Sequence, residues 1–261
     1  AYVMVRDLGV VHRAIVGNYR VSFGQGLIVN NVARFGKMMM LGNIGRIDAG
    51  ISRHSSMTED GFMTGAAATL AFGKVLVSAF APRRKADGTM RGDSIGISSL
   101  KTDGLHRTKL EQSKDGNLAI SNLGGNVHWG TSNFGLSATF ISTHLSVPLA
   151  PEHGTSSSLY RLYHAHGKDF QNVSIAYSWR NSHVSIAGEA AFSHAQGLDN
   201  PVTRQIEGRQ NGFATLNSLQ WRANSNHTFT AIARWYGAKV VSLNGKAFGE
   251  NSSVQNEEGI F

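Results

Sequence analysis

Alternating runs joined by very short polar turns dominate the chain. In the run Val173-Ser-Ile-Ala-Tyr-Ser-Trp179, Val173, Ile175, Tyr177 and Trp179 share one face, and Ser174, Ala176 and Ser178 share the other. After the turn Arg180-Asn-Ser-His183, Val184, Ile186, Gly188, Ala190 and Phe192 oppose Ser185, Ala187, Glu189 and Ala191. Side chains alternate across a strand with period two, so each run predicts a strand with one apolar face and one small or polar face. Three further hairpins are predicted. Gly65–Phe72 turns at Gly73-Lys74 into Val75–Ala81, and Gly125–Thr131 turns at Ser132-Asn133 into Phe134–Ile141. Phe213–Arg222 turns near Asn224-Ser-Asn226 into Thr228–Tyr236. Turns of two to four Gly, Asn or Ser residues between alternating runs are strong hairpin signals.

The connections between hairpins read as much longer: Pro82 to Leu123, Ser146 to Phe170 and His194 to Gly212, all polar. Short turns at one end and long loops at the other are the asymmetry of outer-membrane barrels. Ala14–Val29 reads as extended, and its Gly24-Gln25-Gly26 predicts a bulge or close backbone approach. No helix pattern follows these glycines, so a phosphate loop is not expected. A second extended run is expected over Gly45–Arg53.

Composition supports a sheet whose two faces differ. Charged residues make up 16% of the 261 positions, below the roughly 25% of an average soluble domain, yet the mean hydropathy is only −0.18. Gly is common at 30 and Pro rare at 4, which suits strands and tight turns. No stretch approaches the roughly 20 apolar residues of a membrane helix, a limit that does not apply to a barrel. The absence of Cys excludes disulfides, thiol nucleophiles and thiolate metal sites. The formal charge of +8 admits nucleic acid, an anionic lipid surface or an anionic solute as partner. The densest basic spot, Arg83-Arg84-Lys85, falls in an expected loop.

Several segments, in order, carry a family likeness: Val16–Leu27 (VGNYRVSFGQGL), Phe35-Gly-Lys37, Arg53–Ala66 (RHSSMTEDGFMTGA), Thr102–Glu111 (TDGLHRTKLE), Gly124-Gly125 and Asn256–Phe261 (NEEGIF). The set resembles Bacteroidetes-type outer-membrane β-barrel proteins that bear a helix-hairpin-helix, competence-protein-like module near their N-termini. The resemblance implies a barrel in the outer membrane and supplies no catalytic residues to carry over. No pair of short helices with that module's Gly-containing hairpin is legible, so the likeness is to the barrel portion, and direct DNA binding by this segment is not expected. The chain opens at Ala1-Tyr-Val-Met-Val5 without a signal-peptide pattern and closes inside what reads as a new strand. Residues 1–261 are therefore expected to be one barrel segment of a longer chain.

Candidate chemistry is sparse. Arg180, Glu189 and Arg234 fall on polar faces and are expected to point into a lumen, where charge can select solutes or simply pair. His106, Arg107 and Glu111 are expected to order the Pro82–Leu123 loop as an inward plug, with Arg107 and Glu111 paired. His164 and His166 are spaced to share a strand face near Asp169, but no spacing completes a metal set; scattered histidines near loop ends explain the total of 11 better. No Gly-x-Ser-x-Gly or clustered Ser, His and acid is present. Neither a cofactor nor an enzymatic activity is predicted. Trp129, Trp179, Trp221 and Trp235 near strand ends fit an interfacial girdle, the alternative being core aromatics.

The expected fold is all-β, a partial antiparallel transmembrane β-barrel with about ten legible strands. The expected function is that of a structural or transport-related outer-membrane protein. Its partners would be outer-membrane lipid, a small solute or other envelope proteins. The alternatives are a soluble all-β envelope binding module and, further off, an outer-membrane lipid-modifying enzyme.

Overall fold

The computed structural model describes residues 1–31, 49–55, 61–92, 96–101, 107–112, 114–151, 163–197, 208–250 and 253–261. They form an all-β chain. The strands are β1 (Tyr2–Leu8), β2 (Val11–Ser22), β3 (Gly50–Arg53), β4 (Met63–Phe72), β5 (Val75–Met90), β6 (Ile97–Lys101) and β7 (Leu118–Gly130). After them come β8 (Phe134–Leu149), β9 (Gly167–Arg180), β10 (Val184–Gln196), β11 (Arg209–Arg222), β12 (Thr228–Tyr236) and β13 (Glu257–Ile260). A single helical turn, α1, covers Lys109–Gln112. No helix among the described residues is long and apolar enough to cross a membrane, which says nothing of a barrel.

All thirteen strands belong to one sheet. Sequence neighbours pair antiparallel from β7 through β13, and β5 pairs with both β4 and β7. β3 pairs with the end of β2, and β6 lies against the far end of β5 with a single parallel bridge to β8. Side chains close the short turns. Asn181 Oδ1 accepts from the backbone N–H of His183 and Val184 at 2.8 and 2.7 Å. Asn224 Oδ1 accepts from those of Asn226 and His227, both at 2.9 Å. This is why Asn suits those positions.

The strands exceed the sequence expectation on the long-loop side. β5 and β8 are 16 residues each and run through stretches that read as loop. The supposed 40-residue connection after Pro82 is about half strand: β5 continues to Met90, β6 covers Ile97–Lys101, and β7 begins at Leu118. Arg83-Arg84-Lys85 therefore sits mid-strand, with Arg83 and Lys85 exposed on one face and Arg84 on the other. Pro82 masked this, because a residue without an N–H weakens a strand assignment. Here it is the last β5 residue paired with β4, opposite Gly65, and lies where the β5–β7 register skips from Phe80 to Arg83.

The sheet is curled. Phe23 stacks on Phe80 of β5 with centroids 6.2 Å apart, while Gln25 and Leu27 bond to Glu189 of β10. In a flat sheet β5 and β10 would stand about 19 Å apart, at roughly 4.8 Å per strand. One short segment reaches both only if the sheet wraps around it. The concave face from β2 to β12 closes on a core that includes Tyr19, Phe23, Leu27, Ile28, Phe80 and Phe248. A second cluster under β6 holds Ile97, Leu118, Leu145 and Phe170.

Candidate functional site

The interior is filled by two chain segments, residues 23–31 and 237–250, lying side by side. Asn30 N–H donates to Asn244 O at 2.8 Å and Lys246 N–H to Gly26 O at 2.9 Å. Ser242 Oγ donates to Leu27 O at 2.7 Å and Asn30 Nδ2 to Lys246 O at 2.7 Å. Neither segment is a strand of the sheet, so the polar backbone it carries inside must be satisfied by side chains from the wall.

The wall supplies them. Asn172 Nδ2 on β9 donates to Val241 O at 2.6 Å, and Ser193 Oγ on β10 accepts from Val241 N–H at 3.1 Å. Asn244 Nδ2 donates to Thr143 Oγ1 at 3.0 Å, and Thr143 donates to Asn122 Oδ1 at 2.7 Å, linking β8 and β7. Tyr236 O–H on β12 donates to Phe248 O at 2.7 Å. Glu189, only 1% exposed, accepts at one carboxylate oxygen from the N–H of Gln25 at 2.6 Å and of Leu27 at 3.0 Å. Glycine is required opposite it: Gly24 has φ +60°, and a Cβ there would stand 2.8 Å from the carboxylate. The close backbone approach expected of Gly24-Gln25-Gly26 is thus an approach to Glu189 and Lys246.

The expected lumen residues separate. Glu189 is buried on the concave face. Arg234 shares that face, its side chain 7% exposed, with Nε 2.7 Å from Glu257 Oε1 and Nη2 3.4 Å from Glu250 Oε1. The first contact is an ion pair rather than an aligned hydrogen bond, and it ties β12 to β13. Arg180 has inward parity, but as the last residue of β9 it stays exposed at the turn, with Nε toward Ser132 O at 3.4 Å. Arg107, expected to hold an inward plug, is exposed beside α1. His106 lies outside the described residues, as does the side chain of Glu111. Among the described residues, the positions that fill the interior come from 23–31 and 237–250. His164 and His166 do not share a strand face: His164 is exposed, while His166 is buried with Nδ1 2.6 Å from His164 O.

The convex face carries the complementary pattern. Phe140, Val173, Phe192 and Phe213 are direct register partners across β8 to β11, and all four are exposed. Two residues further toward the long loops, Ser142, Gln171, His194 and Asn211 are again direct partners. Beyond them Arg83, Ser121, His144 and Asp169 align across β5 to β9, with His144 Nδ1 2.6 Å from Asp169 Oδ1. An apolar row thus gives way to a polar row and then to a charged one. Toward the turns the apolar surface continues through Ile175, 59% exposed, to Trp179, Trp221 and Phe229. From Val173 to Trp179 it covers about 20 Å along the strand.

Aromatics gather at both limits. Trp129 meets Phe134 at 5.7 Å and Trp221 meets Phe229 at 5.5 Å near the turns, while Phe213 meets Trp235 at 5.9 Å near the polar row. All four tryptophans are exposed rather than core. The polar groups inside the belt satisfy one another. Tyr177 O–H donates to Asn217 Oδ1 at 2.9 Å across Gly188, and Asn217 Nδ2 donates to Thr215 Oγ1 at 3.0 Å.

No protein-family model matches this chain, and no curated protein matches it in sequence.

Sequence alone marked Glu189 but not its partners. Asn122, Thr143, Asn172 and Ser193 were missed as anchors. The available signal was an amide or hydroxyl recurring at inward positions of several strands.

Proposed function

We propose that this chain is a bacterial outer-membrane β-barrel protein, structural or transport-related, whose convex face meets lipid and whose long-stranded end faces outward. The observation that carries this is the aligned change from Phe140, Val173, Phe192 and Phe213 to Ser142, Gln171, His194 and Asn211. Exposed apolar surface of this continuity marks a membrane or partner surface. A sharp polar boundary with aromatics at both limits is the signature of a lipid-facing barrel belt. Mutual pairing of Tyr177, Asn217 and Thr215 fits a setting where water cannot satisfy them. The family likeness in the sequence points the same way. Any link to DNA uptake belongs to that family's helix-hairpin-helix module. In this proposal the filled interior makes the resting state occluded, and solute passage requires segments 23–31 and 237–250 to move.

Nitroxide labels at Ile175, Ser174, Phe192 and Ser193, in protein reconstituted into lipid vesicles, test the proposal. Ile175 and Phe192 are expected to be accessible to oxygen and shielded from a water-soluble nickel chelate. Equal chelate access at Ile175 and at a turn site such as Ser182 would overturn it. So would a monodisperse, detergent-free monomer, which favours a soluble module.

A further inference from the structure

Two cavities open on the concave face at the end of the short turns, and both are bordered by His128. One, of about 180 Å³, is lined by residues that include Arg13, Phe23, Thr69, Ser78 and Asn126. The other, of about 300 Å³, is lined by residues that include Asn133, Ser178, Arg180 and Ser185. The ionisable side chains among the described lining residues are all of one sign or neutral: Arg13, Arg180, His12 and His128, with no carboxylate. Asp7, 3.3 Å from His12 Nδ1, has a 75% exposed side chain and is not part of either lining.

Arg13 is only partly satisfied. Its Nη1 donates to Ile51 O, but its Nε is buried with no partner among the described residues. A buried donor without an acceptor is costly, and a guanidinium presents its donors in a fork that matches an oxyanion. Opposite it, the hydroxyls of Thr69 and Ser78 are 2.9 Å apart. That pair uses one of its two hydroxyl protons, and the other remains to be given to a further acceptor. The smaller cavity is below the usual size of a drug-sized ligand site. It has room for an ion of a few heavy atoms with some of its water, at roughly 30 Å³ per water.

We infer that this turn-side vestibule binds a small oxyanion, with Arg13 as the principal contact, the Thr69–Ser78 hydroxyl pair as a neutral donor, and Arg180 and His128 setting the sign of the field at the entrance. The site lies on the concave face and does not depend on what covers the convex one.

Calorimetric titration of the full chain in non-ionic detergent micelles, with inorganic phosphate as the probe at low ionic strength, tests this. Saturable binding is expected, weakening as sodium chloride is raised, while glucose and choline chloride give none. Arg13→Gln should weaken phosphate binding by roughly tenfold or more, the loss of one charge-assisted contact, and Arg13→Lys should weaken it less. Arg83→Gln, on the convex face, should leave it unchanged. Absence of saturable phosphate binding, equal binding by Arg13→Gln, or an equal loss in Arg83→Gln overturns the site. Should Arg13→Gln lose its β-sheet circular dichroism, Arg180→Gln on its exposed turn decides instead. A severalfold loss there supports the site, and unchanged affinity overturns it. A failed titration leaves the belt proposal untouched, and a failed label pattern leaves this site standing.

Discussion

Replacing Glu189 by Ala should release the segment 23–31 from the wall without unfolding the sheet. The carboxylate holds two backbone N–H groups, at 2.6 and 3.0 Å, in a place where it is 1% exposed. A hydrogen bond to a charged group contributes about 1.5–3 kcal/mol, and these two serve donors that have no water to turn to. Because they share one oxygen they are not additive, and about 3 kcal/mol of local stability is the expected loss. That converts to roughly two orders of magnitude in the opening equilibrium of the segment. Hydrogen exchange followed by mass spectrometry reads this directly, since segments open locally with their own free energies. The peptide covering residues 23–29 should exchange about a hundredfold faster in Glu189→Ala. A peptide from the middle of β5, residues 75–81, should be unchanged. Glu189→Gln keeps an acceptor but no charge, and should fall between the two. Unchanged protection over 23–29 in Glu189→Ala would refute the assignment of Glu189 as the anchor. Equal loss over 75–81 would show instead that the substitution destabilises the whole sheet.

Gly188→Val should be destabilising by about 1–3 kcal/mol, the usual range for overpacking, because a Cβ there would stand 2.7 Å from the Tyr177 ring and 2.4 Å from Asn217 Oδ1; a thermal midpoint equal to wild type would count against the Tyr177–Gly188–Asn217 contact. Arg234→Met removes the guanidinium 2.7 Å from Glu257, whose side chain is 7% exposed. It should cost about 3 kcal/mol, seen as faster exchange over 253–261, and unchanged exchange would show that the ion pair does not hold β13. Duplex DNA should bind this segment weakly and lose affinity steeply with salt, since Arg83 and Lys85 are exposed on one face of β5 and Arg84 lies on the other; sequence-specific binding that survives physiological salt would contradict this.

The hairpins were legible because their information is local. Alternation of Val173, Ile175 and Tyr177 with Ser174 and Ala176 sets both faces of β9, and Asn181 and Asn224 close their turns through their own side chains. Strand length was not legible where the pattern changes meaning. Past Phe140 and Val173 the outward positions become Ser142 and Gln171 while the inner face carries Ile141, Leu145 and Phe170, so the apolar side switches although pairing continues to Thr143↔Phe170 and beyond. Periodicity reports a contrast between two faces, and where that contrast reverses within one strand the run reads as ended. Parity placed Arg180 inward, but parity carries no depth, and the end of β9 is open to solvent.

By itself, then, the sequence determined the strand class, the hairpin turns and which side chains share a face, because each follows from neighbours within a few residues. Only the tertiary structure decided what fills the interior. The Glu189 anchor spans 164 positions to Gln25, and Asn30 is bonded to Lys246 across 216. Contacts at such separation depend on the curl of the whole sheet, and no local pattern around Gly24 or Lys246 encodes it.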